Sequence, residues 1–243
     1  MKSLNQYIKE KLIINKDYHD NMIVVKSFDE LRNIIEDRYD KLGAGTKKNP
    51  IDFNDIDVSK IDSFYNEHKG EFGSGLFNRT KFKYIDISDW DVSNVKTMNY
   101  MFAYCKELKS VGDISYWDVS NVTDMRFMFC NCENFNQDLS SWDVSKVSDM
   151  EYMFCGCASF NKDISSWYVT NVTDMSFMFS GCASFNQDLS SWNVSNVRDM
   201  NAMFRGCKSF NKDISKWNVS KVRNNILMFF NCPIKDEYKP KFK

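Results

Sequence analysis

The chain has 243 residues, 43% of them hydrophobic, and a formal net charge of −1. That is enough for one or two domains with a buried core, and the near-neutral balance excludes a global field that would gather nucleic acid or anionic membrane. No apolar run approaches the roughly 20 residues of a membrane-spanning helix. The N-terminus also lacks the continuous apolar stretch and cleavage site of a signal peptide, so a cytoplasmic or assembly-associated location is expected.

Residues 1–50 are not repetitive and read as an N-terminal helical and strand segment, a cap or docking element. Ser3 and Gln6 form a capping box before a short helix whose apolar stripe is Leu4, Tyr7, Ile8 and Leu12. That stripe is the candidate docking surface. Leu12–Ile14 and Met22–Val25 are strand candidates. Ser27 and Glu30 make a second box, opening a helix that buries Leu31, Ile34, Ile35 and Leu42 and stops at Gly43. This helix is expected to cover one end of the repetitive region. Residues 51–84 read as a degenerate capping repeat, because Ile56–Ile61 echoes Trp142–Val147 with Ile56 in the tryptophan position.

Residues 85–233 hold six clear units. Trp90, Trp117, Trp142, Trp167, Trp192 and Trp217 mark them, spaced by 27 residues and then by 25. Such a period means one supersecondary unit stacked on copies of itself. Met125, Met128, Phe129 and Cys132 fall at i, i+3, i+4 and i+7, which predicts a short helix. Asp124, Asp149, Asp174 and Asp199 fall in its first turn, and Gly156, Gly181 and Gly206 at its end. Asp138–Val144 has the length and composition of a strand, and its copies would pair in parallel about 4.8 Å apart. Asn225 and Pro233 break the pattern in the last unit. The polar, lysine-rich tail 234–243 is expected to shield the final edge. The fold expected is therefore an α/β, right-handed, leucine-rich-repeat-like solenoid with short parallel strands, short helices and an N-terminal helical cap.

Enzymatic chemistry finds no support. His19 and His68 lie outside the clear repeats, and no catalytic triad, phosphate loop or zinc motif occurs. Six of the eight cysteines share one repeat position, which reads as small buried hydrophobes rather than disulfides or metal ligands. Asp113, Asp138, Asp163, Asp188 and Asp213 read as turn caps, with a calcium role the competing reading. The tryptophan ladder reads as core rather than as a sugar-stacking platform. No cofactor and no metal site is expected.

The run Asp113-Ile114-Ser115-Tyr116-Trp117-Asp118-Val119-Ser120-Asn121-Val122-Thr123-Asp124-Met125 resembles the BspA-like leucine-rich-repeat family of bacterial surface proteins. The resemblance covers about 150 of the 243 residues. It implies an adhesion or interaction protein, and only it implies the cell surface. The chain departs from the usual leucine-rich spacing, using Val-x-x-Val-x-x-Met. The first ten residues also resemble the amphipathic N-termini of some large tailed-phage virion proteins.

The function expected is non-catalytic binding of a protein or glycan through the repeat surface. The alternative is a structural component of a larger assembly, such as a phage virion, tethered by residues 1–50. Core positions barely vary between units, so a ligand must read the rows that vary or protrude. Those are Gln137, Lys162, Gln187 and Lys212; Ser141, Ser166, Ser191 and Lys216; and Asp143, Tyr168, Asn193 and Asn218.

Overall fold

A computed structural model describes residues 22–67 and 74–242. The docking stripe Leu4, Tyr7, Ile8 and Leu12 and both histidines lie outside the described residues.

The helix α1 spans Phe28–Leu42. Ser27 caps it by accepting the Glu30 N–H at 3.2 Å, while the Glu30 carboxylate accepts the Lys26 N–H at 2.7 Å. The reciprocal box therefore reaches one residue before the cap. The helix ends at Gly43, whose φ of 74° suits a residue without Cβ and whose N–H bonds Tyr39 O. Leu31 and Ile35 are fully buried. Tyr39 meets Phe82 edge-on at 5.0 Å, and the Arg32 guanidinium donates to the carbonyls of Gly75 and Leu76.

Short pairings surround it. Strand β1 (Ile23–Val24) runs parallel to β3 (Ile56–Asp57), and β2 (Ile51–Asp52) parallel to β6 (Ile85–Asp86). Strands β4 (Tyr65–Asn66) and β5 (Ser74–Gly75) pair antiparallel. From Thr97 onward one parallel column links Thr97, Asp124, Asp149, Asp174, Asp199 and Asn224, so each coil stacks in register on the last.

The expected helix over Met125–Cys132 is instead a run of turns. Met128 N–H bonds Met125 O, Cys130 N–H bonds Phe127 O, and Cys132 N–H bonds Phe129 O. The intervening N–H groups of Met125, Phe127, Phe129 and Asn131 cross to Asp149, Glu151, Met153 and Cys155 of the next coil. Half the donors close turns and half build the stack, so none is orphaned. A helix would have kept all its inner donors to itself. It would also need about 8–10 Å from its neighbour, whereas Tyr100 and Phe127 stack 4.4 Å apart and Trp167 and Trp192 6.5 Å apart. The burial is that of the helical pattern all the same: Met125, Met128, Phe129 and Cys132 are fully buried.

The expected strand over Asp138–Val144 is also a chain of turns. Asp138 accepts the Ser140 N–H at 2.9 Å, Trp142 N–H bonds Leu139 O, and Val147 N–H bonds Val144 O. The parallel column lies at the Asp124 position instead. Asp124, Asp149, Asp174 and Asp199 do not face a helix dipole; each accepts the N–H two residues on. Gly156, Gly181 and Gly206 have positive φ within the turn run, as does Asn131.

Side chains add rungs in the opposite direction. Trp142, Trp167, Trp192 and Trp217 each donate their indole N–H to the carbonyl 28 residues earlier. The Cys132, Cys157, Cys182 and Cys207 thiols lie 2.9–3.0 Å from the carbonyls of Phe102, Phe129, Phe154 and Phe179. These cysteines are thus both buried apolar groups and weak donors.

The first tryptophan spacing is two residues longer because the chain bulges at Val111–Gly112. Gly112 has φ 84°, and a Cβ there would meet Asp86 Oδ1 at 2.2 Å. Gln137 seals the bulge, accepting from Val111 N–H at 3.0 Å and donating to Gly112 O at 2.5 Å.

The tail covers only part of the last coil. Tyr238 O accepts the Ile214 N–H, Asn211 Oδ1 accepts the Lys235 N–H, and the Lys239 ammonium lies 5.7 Å over the Phe229 ring. Ile226, Leu227 and Phe230 stay exposed, so the expected shielding of the edge is incomplete.

Candidate ligand-binding faces

The rows expected to face a ligand are largely engaged in holding coils together. Ser141 donates to Ser115 O, Ser166 to Ser140 O at 2.7 Å, and Ser191 to Ser165 O at 2.9 Å. Gln137 serves the bulge, and Gln187 donates to the carbonyl and side chain of Asn161. Asp143, Asn193 and Asn218 close turns onto Ser145, Ser195 and Ser220. Tyr168, in the same column, is 63% exposed. Lys162 is half-buried beside Asp138, to which it is electrostatically coupled. Lys212 and Lys216 converge on one shallow hollow with Asp188, Ser190, Asp213 and Trp217.

The Asp113, Asp138, Asp163, Asp188 and Asp213 carboxylates each bond the serine two residues on, at 2.8–3.1 Å. Hydrogen bonds from Ser140 hold Asp138 below the usual carboxylate value. Among the described residues no group of three or more His, Cys, Asp or Glu is set to hold a metal ion.

A different face carries features that sequence reasoning missed. Tyr100, Phe127, Tyr152 and Phe177 stack face to face, with centroids 4.4–4.5 Å apart and planes within 8°. Tyr65 extends the column at 6.0 Å. The rings are half-buried, so their edges line the surface. All four have φ of 56–58°, a region that bulky residues rarely enter. The next left-handed column begins with Arg79 and Tyr104 and from Asn131 onward, at Gly156, Gly181, Gly206 and Asn231, is filled by the residue types that region favours. The signal in the sequence is an aromatic recurring two residues after Met98, Met125, Met150 and Met175, a position the helical reading left on the solvent side.

Beside the rings runs an acidic column. Arg126 binds Asp124 at 2.7 Å and reaches Asp149 at 3.7 Å. Amides close its two ends: Asn99 donates to Asp124 and Asn224 to Asp199. Burial and the neighbouring Asp174 and Asp149 push the Glu151 carboxyl up to about 7. Burial raises Asp149 as well and takes the Tyr100 and Tyr152 hydroxyls to about 12.

Coils of 25 residues stacked through a turn-built ladder define a repeat protein whose uniform faces carry rows of like side chains. The chain belongs to the family described as Mycoplasma protein of unknown function, DUF285, whose model matches residues 70–183 and again 139–239. No curated protein and no solved structure matches the chain.

Proposed function

We propose that the chain is a non-catalytic binding protein of the BspA-like kind, a right-handed solenoid that recognises a protein or glycan through the aromatic and acidic face. The stacked coils and the right-handedness of nearly all parallel crossovers support the fold reading. One observation carries the functional one: four large aromatics occupy a left-handed column that glycine would fill without strain. Each costs about 1–2 kcal/mol in that conformation, and each ring pair returns about 0.5–1.5 kcal/mol by stacking. Stacking and half-burial offset that strain, and the ring edges nevertheless stay at the surface where a ligand can reach them. A row of half-exposed ring edges beside carboxylates is an amphipathic surface suited to a cationic protein segment or to the C–H faces of sugars.

The test is the triple variant Phe127→Gly, Tyr152→Gly and Phe177→Gly, compared with the parent chain on a glycan array and a panel of basic proteins. Specific retention by the parent that vanishes in the variant, with melting shifted by only a few degrees, supports the reading. Retention that survives the variant moves the site to the Lys212 and Lys216 hollow.

A further inference from the structure

The ladder has a direction, and its last rung is open. At every step from Met98 to Gly206, four N–H groups reach forward to four carbonyls of the next coil. The equivalent donors in the last coil are those of Asn225, Leu227, Phe229 and Asn231. None has an acceptor among the described residues. The carbonyls of Asn225, Leu227 and Phe229 are already bonded within the coil, to Met228, Phe230 and Cys232. The edge therefore offers these four donors, beside one open acceptor, the Arg223 carbonyl, which at each earlier step takes the N–H that precedes the aspartate position of the next coil.

Two further observations fall on the same end. Ile226, Leu227 and Phe230 are 66%, 51% and 49% exposed there. Residues 196–243 carry 11 Lys and Arg against 4 Asp and Glu, a net +7, whereas residues 85–195 carry 6 against 15, a net −9. The near-neutral total hides a polarised molecule. Arg198, Arg205 and Arg223 are all exposed on the last two coils.

We propose that this edge docks an acidic, partly apolar polypeptide segment of another protein, added as one more rung. Its carbonyls take the four N–H groups, its apolar side chains cover Ile226, Leu227 and Phe230, and its carboxylates meet the three arginines. A second copy of the chain does not satisfy the edge. Its own last rung presents four donors to four donors with only the Arg223 carbonyl to receive them, and at its other end the Gly75 and Leu76 carbonyls are already taken by Arg32.

The experiment titrates the full chain with a fluorescent peptide of residues 172–181, the natural occupant of an interior rung, and with its Asp174→Lys counterpart. Binding of the first, weakened about tenfold by the Lys peptide and by the double variant Arg205→Glu and Arg223→Glu, is expected. Asn225→Pro, which deletes one edge donor, lowers affinity by a further several-fold. The Phe127, Tyr152 and Phe177 triple variant binds the peptide normally, which keeps this edge distinct from the aromatic face. No binding, or binding indifferent to the charge and proline variants, overturns the proposal. A dimer of the parent chain in sedimentation that Ile226→Asp dissociates also overturns it, by giving the edge to a second copy.

Discussion

The indole N–H of Trp167 donates to the main-chain carbonyl of Leu139 at 2.9 Å, across one coil boundary and 28 residues of sequence. Trp167 is 3% exposed, so that carbonyl has little access to water. Trp167→Phe removes the donor and part of the ring. The expected cost is about 2–4 kcal/mol, from an unsatisfied buried acceptor and a cavity. Urea unfolding measures it, and a loss below about 1 kcal/mol would show that the bond is not a rung of the stack.

Gln137 and Gln187 occupy the same repeat position, where Lys162 and Lys212 stand in alternate coils. Only Gln137 faces the bulge and bonds both Val111 and Gly112. Gln137→Lys is expected to cost about 1–3 kcal/mol through the two main-chain groups it leaves unmet. Gln187→Lys, which gives up only hydrogen bonds to the solvent-exposed Asn161, is expected to cost less, about 0.5 kcal/mol. Equal effects in thermal melts would rule out a sealing role for Gln137.

Gly156 and Gly181 are one coil apart with φ of 74° and 78°. A Cβ on Gly156 would lie 2.3 Å from Asn131 Oδ1, whereas on Gly181 it would meet nothing closer than Gly156 Cα at 3.5 Å. Gly181→Ala should cost about 1–2 kcal/mol from backbone strain alone. Gly156→Ala should cost more, and Asn131→Gly in the same chain should recover the difference. A double variant no better than Gly156→Ala would remove the clash from the account.

Glu151 is raised from 4.5 to about 7 by burial and by its acidic neighbours. Because its folded pKa exceeds its unfolded one, the native state holds the extra proton between about pH 4.5 and 7. Stability therefore falls as pH rises through that window. Glu151→Gln should flatten this slope and stabilise the chain at pH 7.5 by about 1 kcal/mol, after allowance for solvent screening of a half-exposed group. A slope that persists in Glu151→Gln would assign it to Asp149, also raised by burial.

The amino-acid sequence alone determined the period, the coil boundaries at the tryptophans and the columns that go inside. Identical apolar residues at 25-residue intervals can be buried only by one another. It also contained the aromatic column at Tyr100, Phe127, Tyr152 and Phe177 and the charge split at residue 196, both legible as patterns. Apolar spacing of i, i+3, i+4 and i+7 does not separate a helix from a run of turns, because both bury the same residues. Tertiary structure decided between them. Coils whose rings stack 4.4–6.5 Å apart leave no room for helices, so alternate N–H groups leave the turn for the neighbouring coil. The same stacking spends the Ser141, Ser166 and Ser191 hydroxyls on adjacent carbonyls and leaves the Asn225, Leu227, Phe229 and Asn231 N–H groups without an acceptor among the described residues. Where a donor's partner lies 25 residues away, only the stacked coil says whether it is there.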